Sequence, residues 1–156
     1  MTLALSLPDD VRAAIYDHAA EEYPNECCGA VWLVGDDGNA TWEVARYTNV
    51  QDDMHARDPQ RYPRTARTAY LIAPKELLAI NRRVEEPSQR LAMLYHSHPD
   101  HDAYFSEEDV YFAAPMGEPG YPGTVYLVVS VRGGNPQGHR CFGWSEDEGR
   151  FIEQAC

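Results

Sequence analysis

Lysine is nearly absent: Lys75 is the only one, and the other twelve basic residues are arginine. Against 25 acidic side chains this leaves a formal net charge of −12. That balance works against non-specific attraction to nucleic-acid phosphates or to anionic lipid, so neither nucleic acid nor membrane is expected as a partner. The arginine excess itself has two readings, nucleotide-composition bias in the source or adaptation to high salt, where surface acid is useful. No apolar run approaches the length of a membrane span, and the opening MTLALSLPDD has no basic n-region, apolar h-region or small-residue cleavage pattern. The cytoplasm is the expected compartment. Cysteines are few and badly spaced for a framework: Cys27 and Cys28 are adjacent, Cys156 is the last residue of the sequence, and there is no C-x2-C pair. Neither a secreted disulfide scaffold nor a four-cysteine zinc site fits, and reduced thiols are expected. Internal repeats and low-complexity tracts are missing as well.

What remains is enough for one domain spanning residues 1–156, with 44 % hydrophobic residues to build its core. Asp9 and Asp10 followed by Val11, Ala14, Ile15, His18 and Ala19 read as an amphipathic helix with Pro24 just beyond its end. Residues 29–35 and 40–47 read as a hairpin joined through Asp36-Asp37-Gly38-Asn39. The stretch 51–67 is polar and carries two prolines, which predicts a long surface loop. In it Arg57, Arg61, Arg64 and Arg67 outnumber Asp52, Asp53 and Asp58, a locally positive segment suited to contact an acidic substrate. A short strand is expected at 68–72, a helix from Pro74 whose Leu77, Ile80 and Val84 share a face, and an apolar strand at 91–99. Next come a short helix from 106 to about 114, a strand at 124–131, a GGNPQG turn and a last strand near 139–144. The end, RFIEQAC, reads as an edge strand or a frayed tail. Strands with intervening helices make one α/β domain.

His96 and His98 close the apolar strand two residues apart, a spacing that on extended backbone points both rings to one side. Asp109, at the start of the next helix, can be carried back to them by the intervening turn. Two imidazoles and a carboxylate leave a fourth position for water, the mark of a catalytic zinc site. Calcium would want more oxygen ligands and magnesium rarely takes paired imidazoles, while a non-haem iron centre with the same donor set stays open. Ser106 and Asp109 are also spaced as a helix cap and its reciprocal acid. Metal binding by Asp109 is expected to compete with that capping bond and to free the Ser106 hydroxyl toward the site.

H-S-H-P at 96–99, six residues, then S-x-x-D at 106–109 resembles the JAMM motif of the MPN-plus metallopeptidases, and PNECCG at 24–29 is similar to the segment of prokaryotic members that carries the catalytic glutamate. No motif position is substituted. The resemblance implies a single-domain MPN (JAB1/MPN, cytidine-deaminase-like) fold with a mixed β-sheet flanked by helices. It implies a zinc peptidase or isopeptidase in which His96, His98 and Asp109 hold Zn2+, Glu26 is the acid/base and Ser106 polarises the substrate carbonyl. It also implies a ubiquitin-like sulfur-carrier protein, or its amine conjugate, as substrate, cut after a Gly-Gly tail. A zinc amidase or peptidase acting on small peptides and a non-catalytic MPN-type protein-interaction scaffold are the alternatives, and self-association into a homo-oligomer is left open. A thiol-protease role for Cys27 or Cys28 has no histidine to support it. His18, His55 and His139 are assigned no chemistry, and His101 and Asp102 are turn residues at the edge of the cleft.

Overall fold

Two acids in the first turn and a stripe of Val11, Ile15, His18 and Ala19 make α1 (Asp9–Glu22) a helix with one buried face. It stops two residues before Pro24, where a proline disfavours helical backbone in its predecessor. The computed structural model describes residues 6–156. Residues 1–5, on which part of the leader expectation rests, lie outside the described residues. α1 packs on a sheet of β1 (Cys28–Val34), β2 (Thr41–Tyr47), β3 (Gln89–Pro99), β4 (Val125–Arg132), β5 (Asn135–Ser145) and β6 (Arg150–Gln154). The strand order is β2-β1-β3-β4-β5-β6, with β3 and β4 parallel and every other neighbour antiparallel. The parallel pair needs a crossover, and the segment supplying it contains α4 (Glu107–Ala113). This is the mixed α/β domain that the sequence implies. No helix among the described residues is long and apolar enough to cross a membrane.

The period of two along the strands divides the core. Val31, Met93, Tyr95, Leu127 and Val129 face α1 with Val11, Ile15 and Ala19. On the other face Ala30, Trp32 and Leu91 pack against Ile80 of α3 (Pro74–Arg83). Leu94 belongs to this second face, and His96 and His98 continue its parity along β3. Gly29 has a local reason to be glycine: a Cβ there would collide with the Tyr95 ring lying across β1.

Four local expectations change. Residues 51–57 are not loop but α2 (Gln51–Arg57), because the proline-free QDDMHAR places Asp52 and Asp53 in a first turn and His55 and Arg57 in a last one. Residues 68–72 form no strand; only Ile72 makes an isolated bridge, to Asn49. The Asn49 side chain takes the place of a ladder there, accepting from Leu71 N and donating to Ala69 O. β5 starts earlier than expected, the turn contracting to Gly133-Gly134; beyond it Arg150–Gln154 form the edge strand β6, and Ala155 and Cys156 follow outside the ladder. The expectation of reduced thiols fails at one pair: Cys141 and Cys156 are disulfide-bonded, while Cys27 and Cys28 are free and buried. Sequence spacing hid the pairing because the β5–β6 ladder sets Cys141 opposite Gln154, so Cys156 follows just beyond.

Candidate metal centre

At the end of β3 the two imidazoles turn to one side, and their Nε2 atoms stand 3.3 Å apart. Asp109 Oδ2 lies 3.2 Å from His96 Nε2 and 3.6 Å from His98 Nε2. The carboxylate is brought there by the first turn of α4. Ser106 Oγ accepts from Asp109 N, and Ser106 N donates to Asp109 Oδ2, both at 3.0 Å, a complete capping box. One carboxylate oxygen, Asp109 Oδ2, thus serves the cap and faces the imidazoles together. Ser106 Oγ receives the backbone N–H, so its own hydrogen remains available to donate into the cleft.

His98 Nδ1 is 2.8 Å from the Asp102 carbonyl. A carbonyl only accepts, so Nδ1 carries the hydrogen and Nε2 presents a lone pair to the cluster. The turn that supplies this carbonyl is pinned on three sides. Asp100 N donates to Val131 O, Asp100 Oδ2 accepts from Tyr23 OH, and Arg132 pairs with Asp102. Asp100 itself takes a positive φ of 60° to make the bend. His96 is 1 % exposed and stacks on the Tyr70 ring at 4.6 Å between centroids. Its Nδ1 has no hydrogen-bond partner among the described residues.

Glu26 immediately precedes β1. Cys28 is paired with His96, so continuing that antiparallel register by two brings Glu26 beside His98. Its N–H donates to Ala66 O at 2.7 Å, and its carbonyl accepts from Asn49 Nδ2, which fixes the backbone that carries it. Glu26, His96 and His98 form a group whose ligand atoms all lie within 4.8 Å of one another. Burial pushes the Glu26 carboxyl up to about 9, helped by the charges of Asp109 and Glu108 and opposed by Arg64. Burial would raise Asp109 too. With both rings protonated and no cation between them, the His96 charge and the hydrogen bonds from His96, His98 and Ser106 N outweigh it and hold Asp109 well below the usual carboxylate range; with neutral rings, a bound cation takes over that part.

The donor set fits a metal ion. Two ligands each about 2.0–2.1 Å from a tetrahedral ion stand about 3.3–3.4 Å apart, which the 3.3 and 3.2 Å separations match. Two lone-pair nitrogens and a carboxylate aimed at one point also repel one another unless a cation lies between them. A cleft of about 240 Å³ opens over this point, lined among others by Glu26, Arg64, Tyr70, His101, Tyr104, Ser106, Glu108 and Phe112. All five residues expected from the sequence meet here. Tyr70, Tyr104 and the Asp102 carbonyl had no signal in the sequence, because stacking and a backbone acceptor leave no motif.

Other reactive groups stand apart. Burial drives the Cys27 thiol up to about 12 and Cys28 higher still, so neither is a nucleophile. His139, Cys141 and Cys156 form a second group of metal-ligand type, but its two sulfurs are bonded to each other. His18 pairs with Tyr95 OH and His55 with Tyr62 O.

The fold and the His-His-acidic cluster define a JAMM-type metallopeptidase. Residues 8–144 match the family described as prokaryotic homologs of the JAB domain, and the chain belongs to that family. It is 26 % identical over 145 residues to the CysO-cysteine peptidases of Mycobacterium tuberculosis (strain ATCC 25618 / H37Rv) and Mycobacterium bovis, covering 93 % of this chain and 84 % of those proteins. Among solved structures it resembles that of a protein from Salinibacter ruber, with a TM-score of 0.59 and 28 % identity over 96 % of this chain and 88 % of that one. A protein from Desulfitobacterium hafniense shares the fold with a TM-score of 0.62 at 20 % identity, over 94 % of this chain and 87 % of its own.

Proposed function

We propose that this chain is a zinc peptidase that cuts the amide bond after the Gly-Gly tail of a ubiquitin-like sulfur-carrier protein, releasing cysteine or another amine. The observation that carries the reading is the convergence of His96, His98 and Asp109 on one point, with the buried Glu26 carboxyl beside it. The similarity to peptidases named for a CysO-cysteine bond supports the choice of substrate.

In this reading His96, His98 and Asp109 hold the metal. Zinc, when bound, supplies a water whose pKa is lowered to about 7. Glu26 is the proton carrier and not a ligand. Burial and acidic neighbours make its carboxyl strongly basic, and the charge of a bound zinc would act the other way and keep it ionised, so that it can take a proton from the attacking water and hold it until the leaving amine needs it. Asp109, held low, stays a charged donor. The hydrogen of the Ser106 hydroxyl is free to stabilise charge growing on the scissile carbonyl oxygen. Glycines before the scissile bond suit the site because Tyr70, Tyr104 and Phe112 narrow the cleft around the imidazoles.

The test offers zinc-loaded enzyme a matched pair of carrier–amine conjugates, one ending in Gly-Gly before the scissile bond and one in Ala-Ala. Cleavage confined to the Gly-Gly conjugate is expected. Equal cleavage of both, or hydrolysis only of short unrelated peptides, would defeat the substrate assignment.

A further inference from the structure

The cleft is lined by three carboxylates, Glu26, Glu108 and Asp109, and by a single guanidinium, that of Arg64. The other arginines of the same segment, Arg57, Arg61 and Arg67, do not line it, and Arg61 lies over the Tyr62 ring instead. Arg64 is held in place through its backbone. Its carbonyl accepts from Nε2 of the buried Gln51 at 2.9 Å, and two residues on, Ala66 N donates to Asp52 Oδ1 while Ala66 O accepts from Glu26 N. The residue offering the cation and the residue offering the proton are thus fixed to one short stretch of main chain. Arg64 has a carboxylate partner already, Glu108 at 3.2 Å, on the residue next to Asp109. Among the described residues one further contact, a long 3.5 Å one to Thr68 O, uses its N–H groups, and half of the side chain is exposed. A guanidinium presents five donors in a planar fork, so most of its capacity for an oxyanion is unspent.

If the chain releases an amino acid from a carrier tail, the leaving residue brings its own carboxylate only two bonds from the scissile nitrogen. The group that binds this anion must then line the same cleft as the metal ligands. With zinc held by His96, His98 and Asp109 and occupied by the attacking water, and with Glu26 carrying the proton, the acid left facing the rest of the cleft is Glu108, which would repel a second carboxylate; Arg64 beside it is the side-chain cation that can receive one. We infer that Arg64 is the docking point for the free α-carboxylate of the released residue, with Glu108 holding the guanidinium until substrate displaces it. The substrate is then a carrier tail extended by one terminal amino acid, and not a tail joined to a lysine side chain within a protein. The inference rests on the peptidase reading given above.

The two can be separated by measuring binding and cleavage independently. Zinc-loaded Glu26→Gln protein is titrated, by fluorescence anisotropy, with two labelled tail peptides ending in Gly-Gly-(S-methyl)cysteine, one as the free acid and one as the carboxamide; the methyl group keeps a thiolate off the metal. The acid is expected to bind about tenfold more tightly, the scale of a charge-assisted pair. Arg64→Gln in the same background should abolish the preference, and Glu108→Gln should enlarge it by removing the competing carboxylate. Equal binding of acid and amide, no measurable binding of either, or a preference that survives Arg64→Gln overturns the inference without any variant-dependent activity being needed. Acid-selective binding that depends on Arg64, with no hydrolysis of the acid by zinc-loaded wild type, supports the docking role and sinks the peptidase reading instead.

Discussion

The sheet buries a histidine on each of its faces, and the two are buried for different ends. His18, on α1, is 3 % exposed, and its Nδ1 meets Tyr95 OH at 2.7 Å on the face of the sheet that α1 covers. His96, on the opposite face, is 1 % exposed and faces a second imidazole and a carboxylate. A phenol can donate or accept, so it satisfies a neutral imidazole without outside help. Two neutral imidazoles that present lone pairs and a carboxylate meeting at a point cannot satisfy each other; a cation completes them. Burial alone therefore does not mark a functional histidine, and the chemistry of its partners does.

The largest effect should come from breaking the second face. His96→Ala or Asp109→Ala is expected to abolish tight zinc retention and all measurable turnover, while His18→Gln keeps about one zinc per chain, as read by elemental analysis of protein purified without a nickel step. Stoichiometric zinc in both ligand variants would remove the centre. Next in size is Glu26→Gln, which should keep the metal and lose about 10²-fold or more in kcat, the scale of general acid–base catalysis. Near-full activity of the zinc-loaded variant would take Glu26 out of the mechanism and make it a ligand-side bystander.

The contrast also explains what could be read in advance. His96, His98, Ser106 and Asp109 were legible because strand periodicity and a capping box are local rules, and the metal site is built from those two rules. Glu26 was legible only through the likeness of PNECCG to a known segment, since its place depends on a register between β1 and β3 that no local pattern encodes. The stretch 51–73 was the least legible part. Its backbone is held by side chains, Asn49 to Glu26, Ala69 and Leu71, Gln51 to Arg64 and Asp52 to Ala66, in place of a ladder or a long helix. Polar side chains that replace secondary structure look, in a sequence, like a solvated loop. The Cys141–Cys156 pair was hidden for the same reason, because it follows from the β5–β6 pairing and not from spacing.

That disulfide offers a smaller test of how independent the two faces are. It belongs to the α1 side of the core and closes a separation of 15 residues. Cys156→Ser, or reduction, should lower unfolding stability by about 2–3 kcal/mol in denaturant titrations. Zinc content and kcat/KM at room temperature should not change. A drop in zinc stoichiometry on breaking the bond would mean that His139 and the two cysteines form part of the metal inventory, and the separation of the faces would fail.

The smallest effect concerns His18 and is one of pH. Burial, then the Arg46 charge, lowers its pKa from 6.5 to about 4 in the folded protein. The unfolded chain therefore binds this proton at a higher pH than the folded one does, and stability falls as pH drops below about 6.5, levelling off once pH passes the folded value. Between pH 7 and pH 5 the loss attributable to His18 is about 2 kcal/mol, because a proton taken up only on unfolding costs the fold about 1.4 kcal/mol for each pH unit below 6.5. Replacement by glutamine, which cannot take the proton but can still meet Tyr95 OH, should flatten that part of the curve. The measurement is the difference in unfolding free energy between pH 7 and pH 5 for wild type and His18→Gln, both made in the His96→Ala background. Acid release of metal from the opposite face then contributes to neither. If the two proteins lose the same stability over that interval, His18 is not the group that titrates, and the closed face of the sheet carries no proton-linked penalty of its own.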